Sequence, residues 1–467
     1  MNTCDIGLIG LGTMGSALAL NIAEKGFDIA VFNRTTSVTQ NFAAGAGDLA
    51  PRIAPTLTLA DFVAAIRPPR AIILMLPAGQ PVDDQIAALQ SLLGPDDLII
   101  DAGNANFHDT NRRMRTLATP FLGIGVSGGE EGARHGPAIM GGGAKPHWDR
   151  VASVLTAIAA KFDDQPCADW MGEEGAGHFV KAVHNGIEYA DMQLIAETYG
   201  LMRDGLGLTA ATISEVLGKW NAGPLQSYLV EISGKVAGAT DAATSGPLLD
   251  VIADAAGQKG TGRWTAIEAQ HLAVAIPVIE AAVMARNLSS RLDERAALQA
   301  LFGAGPTAIA VDDLPHQLME QAMICGKILC YDQGFGMMKA ASDAFGWNLQ
   351  SPAIARVWRA GCIIRSTMLD DMARAFAEDA NRSLMAAPFF ADLVRKTHPA
   401  LRRVVAVAAL HGVAVPAHAA ALAYFDAMRT ARGTANMIQG QRDFFGLHGF
   451  ARLDDGTSGN HGPWATA

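Results

Sequence analysis

Cysteine is scarce in this sequence, and no two cysteines stand in a CxxC pair. The 467 residues include only five cysteines, an odd number that cannot be fully paired within one chain. A long chain of this kind fits a reducing compartment better than a disulfide framework. We therefore expect buried, reduced thiols at Cys4, Cys167, Cys325, Cys330 and Cys362.

Positive charge, long apolar runs and metal-binding motifs are lacking as well. The formal net charge is −10, so a nucleic-acid partner is not expected, and any anionic ligand must be held by local basic groups. No apolar stretch reaches membrane-spanning length and no basic segment precedes the first apolar run, so we expect a cytoplasmic protein without membrane contact. Without an HExxH motif or a Cys/His cluster, we predict no metal.

What the sequence has is a clear change of pattern along the chain. Short aliphatic runs alternate with helical stretches in the first third, which is typical of a parallel sheet with crossover helices. The predicted strands are residues 6–9, 29–32, 71–76, 98–100 and 121–126. Helical spacing then continues almost to residue 430. We predict an α/β domain in residues 1–175, a large all-α domain in 176–433, and an extended C-terminal tail in 434–467.

A weak internal repeat lies within the helical region. Lys181 precedes Gly200 by nineteen residues, and Lys327 precedes Gly346 by the same interval. Later in each copy, Trp220 and Trp358 begin similar four-residue segments. The simplest explanation is a duplicated helical unit.

A glycine-rich hexamer follows the first predicted strand and opens a helix. In this position, backbone N–H groups and the helix dipole hold the pyrophosphate of a dinucleotide, although an ordinary glycine-rich turn is the alternative. The context favours a Rossmann-like cofactor domain. The hexamer consists of Gly10, Leu11, Gly12, Thr13, Met14 and Gly15.

The residues after the second predicted strand indicate the cofactor. An NAD enzyme usually places Asp or Glu there, whereas this chain has Asn33, Arg34 and Thr35. The guanidinium of Arg34 suits the 2′-phosphate of NADP, and the alternative is a solvated surface arginine. We therefore predict NADP.

A polar stripe marks one predicted helix. Lys181, His184, Asn185 and Glu188 share a face, while the remaining circumference is largely apolar. A solvated surface would be the ordinary interpretation. The repeat copy, however, has no counterpart of the last three, so the stripe is not needed for folding. We predict that Lys181 and Glu188 are catalytic.

With these residues in place, the chain resembles the decarboxylating 6-phosphogluconate dehydrogenases over nearly its full length. The matching stretches include the glycine loop, the Lys181 helix and several further segments. Those segments are Asn33-Arg34-Thr35, Asp101-Ala102-Gly103-Asn104, the ten residues from Gly125 to Arg134, the six from Gly257 to Gly262, and Gln441-Arg442-Asp443.

The resemblance implies a homodimer that uses NADP to convert 6-phosphogluconate to ribulose 5-phosphate and CO2 in the pentose phosphate pathway. Lys181 would be the general base and Glu188 the acid. The residues implied around the nicotinamide are Leu76, Pro77, Ala78 and Asn104. Those implied for the substrate's carboxylate and hydroxyls are Asn104, Ser127, Gly128, Gly129, His184 and Asn185. Those implied for its far end, including the phosphate, are Tyr189, Lys259, Thr261, Arg286 and, from the partner's tail, Arg442 and His448.

Two departures from the family and several alternatives accompany this interpretation. Pro77 stands where the family commonly has a lysine, and Ala105 stands where serine is usual. Lys259 and Thr261 could belong to a plain turn, and Arg286 could pair with a core carboxylate. The tail could instead fold back on its own subunit. The alternative functions are a non-decarboxylating β-hydroxyacid dehydrogenase and a non-catalytic NADP-binding sensor.

Overall fold

The computed structural model describes residues 3–466, which form two compact units. The first extends to Ala421 and the second begins at Leu422. The strands are β1 (Ile6–Ile9), β2 (Ile29–Phe32), β3 (Ile53–Pro55), β4 (Ala71–Leu74), β5 (Leu98–Asp101), β6 (Phe121–Gly123), β7 (Gly125–Ser127), β8 (Ala138–Gly142), β9 (Lys161–Phe162), β10 (Gln165–Pro166) and β11 (Ala168–Gly172).

The helices become longer after the last strand. Those of the α/β region are α1 (Thr13–Glu24), α2 (Thr36–Ala44), α3 (Leu59–Ala64), α4 (Gln80–Gln90), α5 (Phe107–Thr116), α6 (Gly129–His135) and α7 (Lys145–Ile158). Those that follow are α8 (Ala176–Gly200), α9 (Ala210–Asn221), α10 (Tyr228–Ala237), α11 (Thr261–His271), α12 (Pro277–Ser289), α13 (Leu292–Phe302), α14 (His316–Phe345), α15 (Ser351–Val357), α16 (Met368–Glu378), α17 (Pro388–Leu410), α18 (Pro416–Met428) and α19 (Ala435–Gly446).

The main sheet confirms the predicted α/β domain. Its six parallel strands run in the order β3-β2-β1-β4-β5-β6. The order reverses between β1 and β4, which creates the crevice where doubly wound sheets bind dinucleotides. Apolar side chains on both faces of the sheet are buried, as expected for a parallel sheet covered by helices.

Two predicted strands were too long. The run 71–76 leaves the sheet after Leu74, where the chain turns toward Pro77. The run 121–126 divides at Ile124, because β6 pairs with β5 while β7 pairs antiparallel with β8 in a separate three-stranded sheet, β11-β8-β7. This second sheet, together with β3, was not predicted. Its strands pair with segments distant in sequence, which a local pattern does not reveal.

The all-helical region begins with α8, and its two longest helices are the predicted duplicates. Helix α14 packs along α8 and also along α17. A Cβ atom at Gly334 of α14 would lie 2.5 Å from the side chain of Ile187, so glycine permits the close approach of the two helices. Within residues 3–466, no helix is both long enough and apolar enough to cross a bilayer. All five cysteines are free and buried, as predicted.

The second unit contains the predicted tail, residues 434–467, which is not extended throughout because α19 occupies twelve of its residues. Asp443 organises the segment that follows. Its buried carboxylate accepts hydrogen bonds from the backbone N–H groups of Gly449 and Gly462 and from the indole of Trp464, and it contacts His461 at 2.7 Å. These bonds lower the pKa of Asp443 to about 2 although burial opposes the shift. The helix was missed because few apolar residues mark it.

Candidate active site

The glycine loop between β1 and α1 has the geometry of a pyrophosphate site. Gly10 has a φ of +102°, and a Cβ atom at Gly15 would lie 1.8 Å from the carbonyl oxygen of Gly10, so both positions require glycine. A Cβ atom at Gly12 would meet nothing within 4 Å. Helix α1 begins at Thr13 without a side-chain cap, so its first N–H groups are available to an anion.

The end of β2 lies beside this loop. The side-chain oxygen of Asn33 accepts a hydrogen bond from the backbone N–H of Leu11 at 3.1 Å and so joins the two segments. Arg34 and Thr35 follow and are exposed. Within the described part of the chain, no hydrogen bond or ion pair engages the guanidinium of Arg34, which leaves it free for a phosphate.

A buried ion pair supports the loops on the other side of the crevice. Arg113 donates to Asp101 at 3.2 Å, to Asp83 at 2.8 Å and to the carbonyl of Gly79 at 3.1 Å. These bonds hold the segment that contains Leu76, Pro77 and Ala78, and Asp101 also accepts from the N–H of Gly103, next to the exposed Asn104. Sequence reasoning missed Arg113, because nothing local distinguishes it from an arginine on the surface of a helix.

Three members of the polar stripe on α8, Lys181, His184 and Asn185, are buried, Glu188 is half-buried, and the four contact one another. The ammonium of Lys181 donates to the side-chain oxygen of Asn185 at 2.8 Å, and His184 Nδ1 lies 3.0 Å from the same oxygen. His184 Nδ1 is also 3.8 Å from Glu188. Among residues 3–466, no carboxylate lies within 4.0 Å of the Lys181 ammonium. Lys181 is therefore a buried amine without an ion-pair partner.

Two further elements complete this cluster. Ser127, at the end of β7, lies 3.3 Å from His184 Nε2, and Asn185 donates to Thr261, the first residue of α11, at 2.9 Å. Gly128 and Gly129 follow Ser127 and begin α6. A Cβ atom at Gly125 would lie 2.4 Å from that of Lys181, so a glycine in β7 lets the strand pack directly on the helix. Three separate chain segments thus converge on one polar cluster.

A basic region adjoins the Glu188 end of the stripe. The guanidinium of Arg286 lies 3.4 Å from the ring centroid of Tyr189 and donates to the carbonyl of Gly257 at 3.0 Å. It has no carboxylate partner within the described chain, contrary to the alternative of a core ion pair. Lys259 is exposed on the loop anchored by that bond. The region has the charge needed to hold a phosphate.

Burial shifts the protonation of the three ionisable groups on α8. It lowers the pKa of Lys181, and the charge of Glu188 only partly opposes the shift. It raises the pKa of Glu188 against the attraction of Lys181 and Arg286. Burial, reinforced by the charge of Lys181, also holds the pKa of His184 well below its ordinary value. Burial thus shifts the pKa values of all three groups toward their uncharged forms, which is the direction that proton transfer by a buried base and acid requires.

The remaining predicted residues lie in the second unit. Arg442 donates to Gln439 within α19 at 3.2 Å, and His448 makes an edge contact with Phe445. Large apolar side chains, among them Phe444, Phe445 and Leu453, are exposed on this unit. The role assigned to Arg442 and His448 stays a prediction.

Comparison with known proteins agrees with this geometry. A model of the 6-phosphogluconate dehydrogenase C-terminal domain matches residues 177–464, and a model of the NAD binding domain of 6-phosphogluconate dehydrogenase matches residues 5–172. The chain belongs to the 6-phosphogluconate dehydrogenase family. This confirms the resemblance found from the motifs.

The similarity extends over whole family members. The decarboxylating 6-phosphogluconate dehydrogenase of Schizosaccharomyces pombe is 46% identical over 97% of this chain and 92% of its own length. The NADP(+)-dependent decarboxylating enzyme of Bacillus subtilis is 44% identical over 97% and 98%. The solved structure of Plasmodium falciparum 6-phosphogluconate dehydrogenase superposes with a TM-score of 0.94 at 37% identity, covering 99% of this chain and 100% of that one. The predicted fold class is confirmed.

Proposed function

We propose that this protein is an NADP-dependent enzyme that oxidises and decarboxylates 6-phospho-D-gluconate to D-ribulose 5-phosphate, CO2 and NADPH, a reaction of the pentose phosphate pathway. The observation that carries the proposal is Lys181, a buried amine with a lowered pKa on the same helix face as a glutamate with a raised pKa. The relatives named above bear this activity in their names.

The cofactor fits the crevice at the sheet's reversal point. The glycine loop, Gly10 to Gly15, offers the pyrophosphate backbone N–H groups and open space at Gly12. Asn33, Arg34 and Thr35 would hold the 2′-phosphate, and Leu76, Pro77, Ala78 and Asn104 would lie beside the nicotinamide. When bound, NADP accepts the two electrons and the hydrogen removed from C3 of the substrate.

Lys181 carries out the first proton transfer. In its neutral form the amine takes the proton of the C3 hydroxyl, which assists oxidation at C3. The resulting ammonium then donates a hydrogen bond to the new C3 ketone and stabilises the negative charge that develops when CO2 leaves. Asn185 accepts a hydrogen bond from Lys181 in the structure and so sets the direction of the amine.

Glu188 completes the reaction at the other end of the stripe. Burial raises the pKa of Glu188, which favours the protonated form that gives a proton to C1 of the enediol. Asn104, Ser127, Gly128, Gly129 and His184 hold the substrate's carboxylate and hydroxyls together with Asn185. Tyr189, Lys259, Thr261 and Arg286 hold the far end, where the cations meet the phosphate.

A substrate comparison tests this function. We expect NADP reduction with 6-phosphogluconate and at least about 100-fold lower kcat/KM with gluconate, because the phosphate contacts are then lost. Equal rates with gluconate or with a short 3-hydroxy acid would favour the non-decarboxylating alternative. Binding of NADP without any turnover would favour the sensor.

We also propose that the enzyme is a cytoplasmic homodimer in which Arg442 and His448 complete the partner's active site. The exposed apolar side chains of the second unit support this, since they need a surface on which to pack.

Refolding a Lys181→Met chain together with an Arg442→Ala chain distinguishes a tail that binds the partner subunit from one that folds back on its own subunit. If each tail binds the partner subunit, the heterodimer has one active site that combines an unaltered Lys181 with an unaltered Arg442, and activity is recovered. The presence of heterodimers is verified with a different tag on each chain. If the heterodimers are no more active than the parental variants, the tail does not complete the partner's active site.

A further inference from the structure

A second cluster of ionisable side chains lies on the boundary between the α/β and helical regions of the first unit. His108 on α5 approaches the carboxylate of Glu268 on α11, with 2.8 Å between His108 Nε2 and Glu268 Oε2. His271, one turn further along α11, places its Nδ1 3.2 Å from the same oxygen. The cluster adjoins a cavity of about 160 Å³ whose lining includes Ala182 and Val183 of α8 but none of the catalytic stripe.

The three groups have the chemistry and spacing of a divalent metal site. Two imidazoles and a carboxylate are ligands that Zn²⁺ prefers, and one donor atom from each lies within 4.8 Å of the others. With metal–ligand distances of about 2.1 Å, neighbouring donors in a tetrahedral site are about 3.4 Å apart. The two histidine–carboxylate distances of 2.8 and 3.2 Å would open by about 0.6 and 0.2 Å, and the two imidazole donors, which lie within 4.8 Å of each other, would adjust to the same separation.

Burial of the carboxylate and exposure of the imidazoles also suit a cation. The side chain of Glu268 is only 7% exposed, whereas those of His108 and His271 are 53% and 64% exposed. A buried carboxylate is stabilised by a positive charge, and the open side leaves room for a water as fourth ligand. The same groups can form a hydrogen-bonded cluster without metal, which is the alternative that the experiment must separate.

We propose that His108, Glu268 and His271 bind a divalent cation of the zinc class that links α5 to α11, contrary to the expectation from sequence motifs that the chain binds no metal. The ion is outside the chemical step, for which the stripe on α8 suffices. Its position matters because α5 begins three residues after Asn104 and α11 begins at Thr261. The cation would therefore link the segments that carry Asn104 and Thr261, two residues predicted to contact ligands. Its main effect would be to stabilise the packing of α5 against α11. The proposal does not depend on the proposed function.

Titration of the metal-free protein tests the site without using activity. The full chain, stripped with EDTA and then freed of chelator, is titrated with ZnCl2 by calorimetry, and Co²⁺ serves as an absorption probe of tetrahedral coordination. We expect one Zn²⁺ per chain with micromolar affinity and a higher melting temperature in its presence, because the ion binds the folded state. His271→Ala and Glu268→Gln should each weaken binding at least about tenfold.

The variants include a safeguard against misfolding. His271 is exposed, so its replacement leaves the core intact even if Glu268→Gln disturbs the junction. His316→Ala, at the start of α14, removes a histidine outside the cluster and should bind Zn²⁺ like the unaltered protein. The proposal is overturned if the unaltered protein does not bind Zn²⁺. It is also overturned if the unaltered protein, His271→Ala and His316→Ala bind Zn²⁺ with equal affinity. Either result leaves only a hydrogen-bonded cluster.

Discussion

Helices α8 and α14 carry a lysine at matching positions of the duplicated unit, and the two lysines have opposite surroundings. Lys327 of α14 is buried against Asp191 at 2.8 Å and also donates to Ser227. Lys181 of α8 is equally enclosed but has only the amide of Asn185. The ion pair of Lys327 with Asp191 holds α14 against α8, whereas Lys181 has no carboxylate partner. We therefore infer that the same position serves structure in one copy, and we expect it to serve chemistry in the other.

Two further positions of the stripe on α8 also differ from their counterparts on α14. Glu188 corresponds to Gly334, where a side chain would collide with Ile187 of α8. His184 corresponds to Cys330, whose thiol lies 3.9 Å from the Ile187 carbonyl. At these two positions the second copy has small groups where the helices pack, and the first has polar groups where we expect the substrate to bind. We infer that packing constrains α14 and catalysis constrains α8.

The largest effect should come from Lys181→Met, which sharpens this contrast. Loss of the general base is expected to reduce kcat by about 10³-fold or more, while NADP binding measured by fluorescence is retained. The free energy of unfolding at neutral pH should not fall, because a buried amine without a carboxylate partner is replaced by an apolar side chain of similar length. Full activity, or a protein that no longer folds, would show that Lys181 has the structural role instead.

The matched substitution Lys327→Met should act on stability. It leaves Asp191 buried without its cation and is expected to lower the free energy of unfolding by about 3–5 kcal/mol. Urea denaturation measures the loss, with Lys339→Met as the control, since Lys339 is exposed on the same helix. At low temperature the folded variant should keep kcat within a few-fold. A stable but inactive Lys327→Met protein would contradict the division of roles.

Glu188→Gln should slow the final protonation more than oxidation, by about 10²-fold. Rapid-quench analysis should therefore find an intermediate that accumulates ahead of ribulose 5-phosphate. The pH profile gives a second check, because turnover needs Lys181 without its proton and Glu188 with its proton, so kcat/KM should fall at both low and high pH. In the glutamine variant, which has no carboxyl to titrate at this position, one of the two limbs should disappear. Unchanged partitioning and an unchanged pH profile would make Glu188 structural.

The smallest effect concerns cofactor choice, to which neither helix should contribute. Arg34→Ala is expected to lower kcat/KM for NADP by about 10- to 100-fold and to leave that for NAD nearly unchanged, since only NADP carries the 2′-phosphate. Lys25→Ala is a control that removes a cation just after α1. An Arg34→Ala variant with an unaltered NADP value would place cofactor selection elsewhere.

The sequence was informative wherever a signal repeats locally. Strands β1 and β2 were predicted with their observed bounds, because uninterrupted aliphatic runs define them. The stripe on α8 was also predicted, because helical spacing places its four residues on one face. Comparison of the two copies then indicated which polar residues folding does not require.

What could not be predicted depends on contacts between distant segments. The division of 121–126 into β6 and β7 follows from pairing with two different sheets. His108 and Glu268 meet although 160 positions separate them, and each alone resembles a surface or helix residue. The support of the Gly79 loop by Arg113 is likewise visible only when the chain is folded.

Simultaneous measurement of NADPH and CO2 tests the central claim most directly. The EDTA-treated protein is mixed with NADP and 6-phosphogluconate. NADPH is followed by its absorbance, and the released CO2 is trapped and its amount is measured. We expect equal amounts of NADPH and CO2 from the unaltered protein and neither product from Lys181→Met. NADPH without CO2, or equal product formation by Lys181→Met, would contradict oxidative decarboxylation at the α8 stripe.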